Sequence, residues 1–219
     1  KVKGLMVQAL NRLALVQMRT GDLNGAIKSA NAAVKTKHNN PALRAESLFR
    51  LAEVQFRIQK NEAAIETGQK AADLYLALGD LSGAGRAYWA QANAYELTRQ
   101  IEKFHEAIQK SLEYCQQAGD HYGMGNALNI IGMMEDDITQ ALQRYQQAVN
   151  AFEKAGYLDR ILVARGNLAN PYLDLGLYSR SLRLTREVVE TNRKMNAQLG
   201  MIYALGNVAL AQLLMGHLK

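Results

Sequence analysis

The chain has 219 residues, 48% of them apolar, and a formal net charge of +6, which is enough apolar content to bury a continuous core. No uninterrupted apolar run approaches the roughly 18 residues of a membrane span, and a single cysteine, Cys115, excludes an internal disulfide framework. Basic and acidic residues are interspersed, a balance that permits an acidic partner without demanding one.

Prolines occur only at 41 and 171, strong helix formers abound, and no alternating strand pattern is present, so an all-α chain is expected. In chain order, Val2 to Arg19 carries apolar residues at helical spacing. Thr20-Gly21-Asp22 breaks it: Gly suits the left-handed C-terminal position and Asp can cap the next helix. That next helix carries Ala26, Ala30 and Ala33 on one face. The order then recurs, with Ala64, Gly68 and Ala71, with Ala107, Ser111 and Tyr114, with Ala141, Tyr145 and Ala148, and with Ser181, Thr185 and Val188. Gly79-Asp80 and Gly119-Asp120 repeat the stop-then-start signal. The first helix of each repeat centres on a small residue, Ala14, Ala52, Ala92, Gly132, Ala169 and Ala209, at spacings of 38, 40, 40, 37 and 40 positions. Gly216-His217-Leu218-Lys219 reads as a turn into a further helix, and the start at Lys1 without a signal segment reads as a clipped one, so a fragment of a longer array is expected.

Six copies in phase, best matched by Leu168-Ala169, Tyr172, Gly176, Tyr178 and Ser181, resemble the tetratricopeptide repeat family. Units longer than that family's usual length of about 34 residues resemble the type found in kinesin light chains, Leu-Gly-Asn repeat adaptors and the sensor arms of bacterial regulators. The resemblance implies a right-handed α-solenoid of tandem antiparallel helix pairs, here five pairs plus one unpaired helix. The chain 1–219 is then a single array with repeats near 1–40, 41–79, 80–119, 120–156 and 157–196 and a truncated 197–219. About three extra residues are expected near Thr98 to Lys103, with a compensating shortage near Glu135 to Ile138. The resemblance also implies a concave groove lined by first helices, which holds extended peptides or partner helices.

Helical phase selects the groove-facing positions: Arg50, Glu53 and Arg57; Arg86, Trp89 and Asn93; Asn126 and Asn129; Asn167 and Asn170; Tyr203 and Asn207. Asn is a mediocre helix former, so its recurrence within helices asks for another reason. An amide carries donors and acceptors together and can hold a peptide backbone, or it can bond a neighbouring helix and fix repeat geometry; both readings stand. Arg50, Arg57 and Arg86 add donors suited to carboxylates. The expected peptide site is therefore Arg50, Arg86, Asn93, Asn126, Asn129, Asn167, Asn170 and Asn207. Trp89 is expected to pack on an adjacent helix.

Pro171 falls inside the first helix of the fifth repeat. Proline in a helix interior costs about 3 kcal/mol, so a kink over Gly166 to Pro171 is expected. His38, His105, His121 and His217 form no metal-spaced cluster. Glu135-Asp136-Asp137 reads as a helix end, Gly83-Ala84-Gly85 and Gly123-Met124-Gly125 as helix starts where repeats pack closely, and Arg180, Arg183 and Arg186 as a solvated stripe. Cys115 reads as buried structure. No catalytic residue, metal or cofactor is expected. The expected function is a cytoplasmic protein-interaction scaffold with a protein or peptide partner, and neither nucleic acid nor membrane. The alternative is a structural spacer or self-association domain of a larger regulator, forming homo-oligomers through repeat ends.

Overall fold

The helix breaks form where glycine and aspartate place them. In the computed structural model, which describes residues 2–195 and 198–216, Gly21, Gly79 and Gly119 take φ of 86°, 71° and 65°. Asp22, Asp80 and Asp120 each accept a hydrogen bond from the backbone N–H three residues on, at 2.8, 2.8 and 3.0 Å. At Gly79 the Asp80 N–H returns to the Tyr75 carbonyl at 2.9 Å and the Gly79 N–H to Leu76 at 3.0 Å, which closes the exposed carbonyls of the preceding helix. Gln59 and Arg99 make the same turn with φ of 60° and 57°, although neither is glycine.

Two compact units divide the chain, residues 1–123 and 124–219. The N-terminal unit holds α1 (Val2–Arg19), α2 (Leu23–Lys35), α3 (Pro41–Arg57), α4 (Asn61–Ala77), α5 (Leu81–Leu97), α6 (Ile101–Gln117) and the first turn of α7 (His121–Met134). Each of α1 to α5 packs on the next, and α3 also packs on α1 and α5, so first helices of successive repeats lie side by side. Pro41 opens α3, where its missing N–H costs no helical hydrogen bond.

The C-terminal unit holds the rest of α7 with α8 (Ile138–Ala155), α9 (Leu158–Asp174), α10 (Tyr178–Lys194) and α11 (Gln198–Leu214). Here α8 packs on α9, α9 on α10 and α10 on α11, and α9 also meets α11. The helix α9 continues unbroken through the buried Pro171, which lies in its last turns and removes only the donor for the Asn167 carbonyl.

The second helices share one burial register. Positions 4, 8, 11, 12 and 15 are buried in α4 as Ala64, Gly68, Ala71, Ala72 and Tyr75, and in α6 as Phe104, Ile108, Ser111, Leu112 and Cys115. The same positions are buried in α8 and α10, beginning at Ala141 and Ser181. This corrects the expected insertion at Thr98 to Lys103: α3, α4, α5 and α6 are each 17 residues long. Aligning small residues had matched Ala64 with Ala107, whereas the register matches it with Phe104, and Cys115 rather than Tyr114 takes the deep position. The shortage is real, because α7 spans 14 residues.

The small residues Ala14, Ala52, Ala92, Gly132 and Ala169 are buried, whereas Ala209 on α11 is exposed. Apolar side chains stand exposed along α1 (Val2, Leu5, Met6, Leu13, Val16) and along α11 (Ile202, Tyr203, Leu210, Leu213). Gly216 takes the left-handed turn with φ of 73°; the expected continuation at His217-Leu218-Lys219 lies outside the described residues. Among the described residues no helix is long and apolar enough to cross a membrane.

Candidate binding surface

In the C-terminal unit the asparagines of the first helices meet in pairs about one repeat apart. Asn167 Nδ2 donates to Asn129 Oδ1 at 3.0 Å, and Asn207 Nδ2 donates to Asn170 Oδ1 at 3.0 Å and to the Gly166 carbonyl at 3.3 Å. These bonds stitch α7 to α9 and α9 to α11. Each amide uses only part of its capacity. Among the described residues, no hydrogen bond engages the amide NH2 groups of Asn129 and Asn170 or the Oδ1 atoms of Asn167 and Asn207. Asn170 is exposed and the other three half-exposed, so each inter-repeat pair offers one donor group and one acceptor to a ligand. Asn126 differs: it is 6% exposed and presents little to any partner. Tyr203 is 78% exposed.

In the N-terminal unit the selected polar residues are engaged with protein groups. Arg50 pairs closely with Glu53, and Arg57 reaches the same carboxylate at 3.5 Å. Arg86 grips Asp120 through Nε at 2.6 Å and Nη2 at 2.9 Å and lies over Tyr122 at 5.3 Å from the ring centre. Asp120 also accepts from Ser82 Oγ at 2.8 Å while capping α7. Burial raises the Asp120 carboxyl, but Arg86, the Gly123 N–H and Ser82 outweigh it and hold it below the ordinary carboxylate range. Arg86 therefore serves first as a tie between repeats. Asn93 donates back to the Trp89 carbonyl on its own helix at 2.7 Å, and no hydrogen bond among the described residues engages its Oδ1. Trp89 is 7% exposed and stands edge-on to Phe56 at 5.6 Å, so it packs on the preceding repeat.

Sequence reasoning missed the Asp120 junction and two further ties. Gln91 donates to the Ile65 carbonyl at 3.0 Å and to Gln69 at 3.1 Å, and Asn11 donates to Ser47 at 3.0 Å. Their only signal was spacing close to a whole repeat for Asn11 with Ser47 and for Ser82 with Asp120. The glycine stretches are close contacts between helices: a Cβ on Gly85 would stand 2.5 Å from Cys115 Sγ, and one on Gly125 2.7 Å from the Phe152 ring. Asp137 caps α8 by accepting from Thr139 and Gln140 at 2.8 and 3.0 Å. Arg180, Arg183 and Arg186 are exposed, with Arg180 over Tyr172 at 4.8 Å. Among the described residues no group of three metal-ligating side chains assembles.

No family model matches the sequence, and no curated protein matches it significantly. Solved structures do match the fold, which is that of the tetratricopeptide repeat proteins. A Rap protein crystallised with competence and sporulation factor superposes with a TM-score of 0.81 at 16% identity, over 97% of this chain and 65% of that one. A signal transduction ATPase with a tetratricopeptide repeat sensor from Pyrococcus horikoshii gives 0.69 at 16% identity, over 94% of this chain and 32% of that one. A thermophilic protein of this repeat class from Thermus thermophilus gives 0.61 at 19% identity, over 91% and 98%. The chain thus spans about two thirds of the Rap protein and one third of the ATPase.

Proposed function

We propose that this chain is a protein-binding scaffold rather than an enzyme, and that it holds an extended peptide or partner helix against the exposed face of its first helices. The observation that carries this reading is the half-engaged amide pairs, Asn129 with Asn167 and Asn170 with Asn207. Their shared bonds hold the amides in place, and the remaining donors and acceptors match a peptide backbone irrespective of its side chains. Recognition on such a preset surface costs little ordering of the scaffold. The Rap protein that superposes on this chain was crystallised with a factor bound, which supports a ligand of that kind. A cytoplasmic setting, a partner other than nucleic acid or membrane, and a single repeat array over 1–219 belong to the same proposal.

The test is capture from lysate by wild type beside an Asn129→Ala/Asn170→Ala variant of unchanged helicity. A partner held by wild type and lost by the variant is expected; equal capture by both refutes the amide surface. The exposed apolar stripes on α1 and α11 favour a second reading, self-association through the array ends. Sedimentation across a wide concentration range decides it, since a constant monomer mass removes that reading.

A further inference from the structure

Two guanidinium groups on α3 share one carboxylate. Glu53 is 3% exposed; Arg50 holds it closely one turn before, and Arg57 reaches it only at 3.5 Å one turn after. Over its whole length α3 carries three arginines, Arg44, Arg50 and Arg57, against two acids, Glu46 and Glu53, one cation in excess. Both Arg50 and Arg57 bury an Nε–H that no acceptor meets. An unmet buried donor is costly, and the half-buried setting strengthens the pull of the uncompensated charge on any anion. Of the two, Arg57 is the one able to turn: its side chain is 30% exposed against 14% for Arg50, and its hold on Glu53 is the longer.

We infer that Arg57 anchors a carboxylate of the bound partner, with Arg50 and Glu53 as the fixed pair beside it. This rests on the reading of the first-helix faces as the partner-binding surface. A guanidinium fork donates to two carboxylate oxygens side by side, and one incoming negative charge would balance the three arginines of α3 against three acids. The carboxylate could be an acidic side chain or a peptide C-terminus.

Trp89 reports the event. It is the only tryptophan of the chain, and its ring meets the Phe56 ring over which Arg57 lies, at 5.3 Å from the ring centre. The experiment follows the single indole N–H signal and the side-chain amide signals of Asn129 and Asn170 by NMR. Three capped pentapeptides are titrated: acetyl-Gly-Gly-Asp-Gly-Gly-amide, its Asn analogue, and acetyl-pentaglycine with a free carboxyl end. The expected result is a shift of the indole signal by a carboxylate peptide at roughly tenfold lower concentration than by the Asn analogue, about 1.4 kcal/mol. The Asp and free-acid arms identify which source is taken. Arg57→Gln is expected to abolish the preference and leave the asparagine responses intact. Equal response to the Asp and Asn peptides, or a preference that survives Arg57→Gln, overturns the inference while the amide surface stands. Peptides that move neither set of signals overturn both.

Discussion

Asp120 ties three groups of the N-terminal unit to one carboxylate. Its carboxylate caps α7, accepts two bonds from Arg86 and one from Ser82, and its side chain is 6% exposed. Breaking a buried ion pair by removing one partner costs about 3–5 kcal/mol. Arg86 is 37% exposed, so water recovers part of its solvation, and about 2 kcal/mol is the better figure for the pair. A lost N-cap adds about 1 kcal/mol. Asp120→Ala should therefore destabilise by about 3 kcal/mol and Asp120→Asn, which keeps a capping oxygen, by about 2 kcal/mol. Urea unfolding followed by the emission of Trp89, on the neighbouring stretch of α5, measures both. The sign with pH follows from linkage. The folded carboxyl lies below its unfolded value, so its contribution is complete above about pH 4 and fades as pH falls through the unfolded and then the folded value. The gap between wild type and Asp120→Asn should thus shrink on acidification below about pH 4. Variants that unfold with wild type at neutral pH, or a gap that stays constant into acid, would refute this reasoning.

Gln59 and Arg99 hold left-handed backbone at exposed turns, a conformation that costs a residue with a Cβ about 1–2 kcal/mol. Gln59→Gly and Arg99→Gly should each raise the melting temperature, and a fall in either would show that the side chain contributes more than the strain. Gly125→Ala and Gly166→Ala should have opposite signs: the first pushes a Cβ to 2.7 Å from the Phe152 ring, the second meets nothing within 4 Å. A loss of about 1–2 kcal/mol against a gain of up to about 1 kcal/mol is expected in denaturant titrations; the same sign for both contradicts the packing argument. Burial, and secondarily the charge of Asp120, push the Cys115 thiol up to about 12. Native protein should therefore resist iodoacetamide at neutral pH until denaturant is added, and rapid native labelling would place the thiol elsewhere.

The caps and turns were legible in the sequence because their causes are local. Gly21-Asp22, Gly79-Asp80 and Gly119-Asp120 need only their own backbone and the next turn. The face of the first helices was legible in part: 3.6-residue phase brought Asn129 and Asn170 to the positions where Asn167 and Asn207 meet them, but it also selected Glu53, Trp89 and Asn126, which are buried. The engagement of those side chains was not legible. Whether Arg86 points to a ligand or to Asp120 depends on how α5 and α6 set the start of α7, and nothing within α5 records it. Asn126 shares a helix with Asn129 one turn away, yet it is buried and Asn129 is not.

The misplaced insertion at Thr98 shows what the repeat conserves. Small residues are not the invariant; the buried register is, and size is exchanged across helices. At position 15 of the second helices stand Tyr75, Cys115 and Asn192. Eight residues after each comes a glycine, Gly83, Gly123 or Gly200, whose added Cβ would collide with that same side chain. Phe152 breaks the spacing, since Arg160 stands eight residues on, and its ring rests instead against Gly125 on α7, the first helix of its own repeat. A bulky residue is thus admitted wherever a glycine on the facing helix makes room, because close packing constrains the sum of the two volumes rather than either one. That rule fits an array in which no single copy matches the repeat motif well while the period is kept: size varies within each pair, and the pairs hold the spacing.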